Sequence, residues 1–191
     1  MSDKKNIIIA GSAGSFQTVV AILEKIKKDF PFSIFLILHR LKNVKSGFIE
    51  ALSVKSKLKL KEPVDKEKIM PGTIYLAPSN YHMYIEYDNT ISLSTEETIN
   101  HSRPSIDATF VSAALSLQNN AIGVLLSGAN SDGAQGIYAM HKEGAYTIVQ
   151  DPKDSQIQTM TQAALNLFQP DKIMTSEQII HYISKYINYG Y

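Results

Sequence analysis

The chain has 191 residues, no cysteine, and a formal net charge of +1 from 19 basic and 18 acidic side chains. This length suits one domain with one sizeable core, and 44% apolar against 19% charged residues is a globular mixture, neither disordered nor membrane-like. The balanced charge leaves no basic field to hold a phosphate backbone, which argues against nucleic acid as a partner, and the lack of thiols excludes disulfides, thiolate metal sites and a cysteine nucleophile.

The start, Met1 to Asn6, leads into an apolar run too short for the core of a signal peptide, and no stretch could span a bilayer. A cytoplasmic location without membrane insertion is the expectation. Ile7 to Ala10 is a continuous β-branched run, the pattern of a strand buried on both faces of a parallel sheet. A turn of small residues, Gly11 to Ser15, follows. Phe16, Val19, Val20, Leu23 and Ile26 then recur at helical spacing, and Lys25, Lys27 and Lys28 place cations at the end favoured by the helix dipole. Ser33 to Leu38 is a second buried strand, which completes a strand–helix–strand unit with a right-handed crossover.

Ser46 to Leu52 fits a short helix. The lysines from Lys55 to Lys61 fit a solvated or edge strand, where they discourage aggregation, or a patch that steers an acidic partner. Ile74 to Ala77, Met83 to Tyr87 and Thr90 to Leu93 are short extended runs, and Asp88-Asn89 marks a hairpin turn between the last two. Beyond Pro104 an amphipathic helix is marked by Ile106, Phe110, Ala113, Ala114 and Leu117. Ala121 to Leu126 is a third buried strand. The polar loop Ser127 to Gly133 then leads into a helix reaching about Lys142. Ala145 to Val149 is a fourth strand, and Thr159 to Asn166 and Ser176 to Tyr186 are helical, with Ser176 as N-cap. The alternation predicts an α/β fold: a doubly wound, mostly parallel open sheet with helices on both faces and a small antiparallel hairpin excursion.

Ligands of such sheets bind beyond the carboxyl ends of the strands. Ser12, His39 and Asp132 each stand just past the end of a predicted central strand. Parallel strands would crowd all three onto one sheet edge, where a serine finds a base to accept its proton and the base finds an acid to fix its tautomer. The turn around Ser12 keeps side chains clear, and the helix behind it aims free amides at the same spot. Taken singly, each feature has a plainer account. The turn could cradle a phosphate or allow tight packing, His39 could be a hydrogen-bonded structural histidine, and Asp132 could cap its own helix. Joint placement favours the catalytic reading. The strict G-x-S-x-G elbow is absent, and the order Ser…His…Asp departs from that of the α/β-hydrolases. His101, His141 and His181 look structural or exposed, and no metal-ligand spacing is present. Of all these histidines, His82 and His101 could line the pocket, and Arg103 could contact substrate as a clamp for a carboxylate or orient a loop.

These residues resemble a known family. Ile9-Ala10-Gly11-Ser12-Ala13-Gly14, Leu36-Ile37-Leu38-His39, Pro71 to Pro78 followed by His82-Met83, Arg103-Pro104-Ser105-Ile106-Asp107, Gly123 to Gly128 with Asp132-Gly133, and Gly144-Ala145 to Asp151-Pro152 follow the order and spacing of the CheB methylesterase catalytic domain over nearly the whole chain. The resemblance implies one such domain over residues 1–191. It also implies a serine hydrolase that demethylates glutamate γ-methyl esters, and deamidates certain glutamines, on methyl-accepting chemotaxis receptors. Ser12 would be the nucleophile, His39 the base and Asp132 its orienting acid, with the backbone amides of Ala13 and Ala129 as the oxyanion hole and no metal or organic cofactor. Three features depart from the family pattern. No receiver domain precedes the first strand, so control would fall to a separate regulatory or receiver protein. Ser15 stands in place of a second glycine, and Met160-Thr161 in place of Met-Pro. Competing readings are a phosphate- or nucleotide-binding α/β domain, which would want an acidic residue where His39-Arg40 stands, a non-catalytic signalling module of the same fold, and an esterase with another target.

Overall fold

A computed structural model describes residues 6–39 and 47–185. Its elements run, in chain order, β1 (Asn6–Gly11), α1 (Phe16–Lys25), β2 (Ser33–Leu38), α2 (Phe48–Ser53), β3 (Lys59–Lys61), β4 (Glu67–Lys68), β5 (Thr73–Leu76), β6 (His82–Ile85), β7 (Thr90–Ser94), α3 (Ile106–Leu117), β8 (Ala121–Leu125), α4 (Ala134–Lys142), β9 (Tyr146–Gln150), α5 (Thr159–Leu165), β10 (Lys172–Met174) and α6 (Ser176–Lys185). The predicted start of α2 at Ser46 and end of α6 at Tyr186 lie outside the described residues, as does Arg40.

Seven strands form one parallel sheet in the order β10-β9-β8-β1-β2-β5-β3. The β-branched runs explain why its centre is buried twice over. Along β1, Ile7 and Ile9 enter the core beneath α1 and α6, while Ile8 and Ala10 enter the core beneath α3, α4 and α5. Along β2, Ile34, Leu36 and Leu38 take the first side and Phe35 and Ile37 the second. Each fully buried isoleucine contributes about 1.5–3 kcal/mol of transfer free energy, and a one-residue slip would exchange the two faces. The lysine-rich stretch is the edge strand β3, where Lys61 pairs with Glu67 at 2.7 Å.

The antiparallel excursion is a three-stranded sheet, β4-β7-β6. Its hairpin turns at Asp88, whose Oδ1 accepts from Thr90 N at 3.2 Å and Thr90 Oγ1 at 2.6 Å, with Asn89 at φ 62°. β6 ends at Ile85 rather than Tyr87, because Glu86 already takes part in the turn. Two strands escaped the sequence pattern. β4 and β10 have two and three residues, too few for a period to appear. The predicted cap of α6 is also corrected. Thr175 is the capping residue: its Oγ1 accepts from Gln178 N at 3.3 Å, and Gln178 Oε1 accepts from Thr175 N at 3.0 Å, a reciprocal capping box.

The chain builds outward from β1 in both directions, to β2 and β5 on one side and to β8, β9 and β10 on the other. The topological switch therefore lies at the carboxyl end of β1, next to β8. Among the described residues, no helix is long and apolar enough to cross a membrane.

Candidate active site

Ser12 is the first residue past β1, at that switch. Its amide donates to Ser127 O, just past β8, at 2.9 Å, and on the other side His39 N donates to Gly11 O at 3.2 Å. The turn is therefore stitched to both neighbouring strand ends. β1 and β2 pair up to Gly11 and Leu38, so Ser12 and His39 are the next residues of adjacent strands, about one strand spacing or 5 Å apart at their backbones. Among the described residues Ser12 Oγ makes no hydrogen bond. Ser15 is buried at the N-cap of α1, and its Oγ donates to Ser12 O at 2.7 Å.

The imidazole and the acid are joined directly: His39 Nε2 lies 2.8 Å from Asp132 Oδ2. Asp132 is 0% exposed, so its charge has lost all contact with solvent. The protein replaces that water with donors. Oδ2 also accepts from Ile106 N at 2.8 Å, and Oδ1 accepts from Asp107 N and Ser105 Oγ, both at 3.0 Å. Burial alone would push this carboxyl up. The bonds from His39 and from the Ile106 and Asp107 amides more than offset burial and hold it below the ordinary aspartate value. Asp132 is thus ionised at neutral pH, and the imidazole nitrogen facing it carries the proton. The alternative that Asp132 caps its own helix does not hold. Gly133, at φ 97°, is the N-cap of α4, and Asp132 caps α3 instead.

Ala13 and Ala129 are both exposed on the loops that flank Ser12, and no described residue takes up the amide of either. The loop carrying Ala129 is fixed from below, with Gly128 N donating to Ile157 O at 3.2 Å and Met160 N to Gly128 O at 3.0 Å. Ser127 ties the two flanking loops together: its one hydroxyl proton lies within reach of Ala13 O at 3.2 Å and Ile157 O at 2.9 Å, and its Oγ accepts from Ile157 N at 3.0 Å.

Two of the other sequence candidates, His82 and Arg103, have their side chains engaged by backbone. His82 does not line the pocket. It is 0% exposed, and both ring nitrogens are engaged by backbone, Nε2 with Glu97 O at 3.0 Å and Nδ1 with Ser105 N at 3.2 Å. Arg103 Nη1 donates to Thr95 O at 2.6 Å and Glu96 O at 2.8 Å, which makes it a support for the loop before α3. Sequence reasoning missed Ser105, Asn100 and Ser127, which hold the site together. Ser105 alone carried a readable signal, as a serine just before a helical pattern, and it does cap α3 through Ala108 N at 3.3 Å.

Residues 7–183 match the family model described as CheB methylesterase. The chain belongs to this family. A relative from Leptospira interrogans, provisionally named a protein-glutamate methylesterase/protein-glutamine glutaminase, is 37% identical over 91% of this chain and 90% of its own length. The protein-glutamate methylesterase/protein-glutamine glutaminase of Chromohalobacter salexigens is 34% identical over 86% of this chain, which spans only 47% of that longer protein. The crystal structure of the Thermotoga maritima CheB methylesterase catalytic domain superposes with a TM-score of 0.89 at 25% identity, covering 95% of this chain and 98% of that one. As a CheB-type domain the chain accommodates its two single-residue departures, at Ser15 and Thr161, locally. Ser15 braces the turn it stands in. Thr161 occupies the first turn of α5, where proline is at home, and its Oγ1 instead donates to Gln158 O at 3.1 Å.

Proposed function

We propose that this CheB-type domain demethylates glutamate γ-methyl esters, and deamidates glutamine side chains, on methyl-accepting chemotaxis receptors through Ser12, His39 and Asp132. The observation that carries the reading is the 2.8 Å bond between His39 and the buried Asp132 carboxylate, one strand spacing from Ser12 at the topological switch. With Nε2 committed to Asp132, Nδ1 is the nitrogen left to act as base. Ser12 Oγ attacks the ester carbonyl as its proton passes to His39 Nδ1. The tetrahedral oxyanion faces the amides of Ala13 and Ala129 at the positive end of α1. His39 then protonates the departing methoxide as methanol, or the departing amide as ammonia. Water, deprotonated by the same nitrogen, cleaves the acyl-serine to give glutamate and free Ser12.

The family's substrates are protein side chains, which fits a nucleophile in a half-buried turn rather than a closed cavity. A fluorophosphonate probe tests the chemistry: wild type is labelled at Ser12, and Ser12→Ala is not. Equal labelling of both would remove the nucleophile assignment. No labelling of either would favour a non-catalytic module. Methanol release from methylated receptor fragments tests the substrate.

A further inference from the structure

A second buried carboxylate, Asp107, lies beside the site without touching His39. Its Oδ1 accepts from Gly133 N at 2.9 Å and Gly136 N at 2.7 Å, and its Oδ2 accepts from Asn100 Nδ2 at 2.8 Å. The same Nδ2 stands 3.5 Å from Asp132 Oδ1. Gly133 directly follows Asp132, so a carboxylate that grips Gly133 N fixes the peptide plane leaving Asp132. On the other side Asn130 Oδ1 accepts from Asp132 N at 3.2 Å. The backbone of the proposed triad acid is therefore clamped before and after its Cα. Resting on the triad reading above, we propose that Asp107 is a positioning residue for Asp132, acting through the Gly133 and Gly136 amides and through the Asn100 bridge between the two carboxylates.

The identity of the residue follows from space and donor count. α3 and α4 cross so closely that a Cβ on Gly136 would lie 2.6 Å from Phe110 Cβ and 2.9 Å from Asp107 Cα. Glutamate would drive its carboxylate into this crossing. Asparagine would fit, but its NH2 would face the Asn100 NH2, donor against donor. The negative charge also matters to His39. Among the described residues, the ionisable groups around it are Asp132 on the loop after β8, Asp107 on α3, and His82 on β6 one hydrogen bond further away at Ser105 N. Removing the Asp107 charge disfavours the imidazolium. Removing the Asn100 donor strips partial positive charge from between the carboxylates and favours it.

The test is the pH dependence of fluorophosphonate labelling at Ser12, with thermal unfolding measured alongside. Asp107→Asn is expected to label roughly tenfold more slowly at the plateau, with the acid limb moved to lower pH. Asn100→Ala, in an exposed loop that leaves both helix starts intact, is expected to move the limb to higher pH. A role confined to folding would lower the melting temperature and leave both limbs in place. Wild-type plateau rates and limbs in both variants would overturn the proposal while the triad stood. If Asp107→Asn fails to fold, the direction of the Asn100→Ala limb decides alone. A wild type that is not labelled at Ser12 would overturn the triad reading and this proposal with it.

Discussion

Asp107 and Asp132 each cap the helix that begins beside the other. Asp132 accepts the Ile106 and Asp107 amides at the start of α3, and Asp107 accepts the Gly133 and Gly136 amides at the start of α4. Two carboxylates buried this close would repel strongly if bare. Four orphan amides and two helix dipoles compensate them. The compensation is unequal. Asp132 gains His39 and ends below the ordinary aspartate value, whereas burial, and then the neighbouring Asp132 charge, prevail over the amides at Asp107 and leave it above that value.

The inequality fixes how stability depends on pH. A carboxyl lowered by folding contributes stability that is present above its unfolded value and is lost as pH falls through its lower folded one. Asp107 works in the opposite sense: its contribution is greatest below the ordinary value and fades as pH rises to the raised one. Asp132→Asn should therefore lose about 2–3 kcal/mol at pH 7 and show a flatter loss on acidification than wild type. Urea denaturation at neutral and acid pH measures both, and parallel curves would contradict the assignment. In the same variant the asparagine NH2 would face His39 Nε2, forcing the proton to Nδ1, where it blocks proton transfer from Ser12. A drop in kcat of about 10³–10⁴ with little change in KM is expected.

His82 supplies a contrast between a residue near a site and one in it. Its ring bridges Glu97 O and Ser105 N with no exposed surface. His82→Ala should destabilise the fold by about 2–4 kcal/mol through the cavity and two unpaired backbone groups. His82→Gln, which can keep one of the two bonds, should recover part of that. KM of the folded fraction should stay within about twofold of wild type, since the ring has no route to substrate. A Gln variant with wild-type melting temperature and a raised KM would return His82 to the binding surface.

These contrasts show what a one-dimensional reading can reach. Strand ends were legible because β-branched runs such as Ile7–Ile9 announce twice-buried strands, and parallel strands place their carboxyl ends together without further information. Ser12, His39 and Asp132 followed from that rule. The carboxylate exchange was not legible, because Asp132 caps a helix that starts 26 residues earlier in the chain, and no local pattern marks a cap supplied from so far away. His82 was misplaced for a related reason. A histidine beside a hairpin looks available until the backbone groups that claim its nitrogens are known.

The brace within the Ser12 turn gives the sharpest energetic prediction. Ser15 is 1% exposed, and Ser12 O accepts both its amide, at 3.1 Å, and its hydroxyl, at 2.7 Å. Ser15→Ala keeps the amide bond and should cost about 1 kcal/mol, with a several-fold loss of kcat as the turn loosens. The tight fit is with Gly11, where a Cβ would lie 2.6 Å from both Ser15 Cβ and Ser15 Oγ and 3.1 Å from Leu126 Cβ. Gly11→Ala should therefore cost about 2 kcal/mol or more in the wild-type background. In a Ser15→Gly background the closest obstruction is gone and only Leu126 remains, so the same substitution should cost about 1 kcal/mol less. A double-mutant cycle by chemical denaturation reads this coupling directly. Strict additivity would mean that Ser15 and Gly11 do not share the space the structure gives them, and that the turn holding Ser12 owes its shape to something other than their contact.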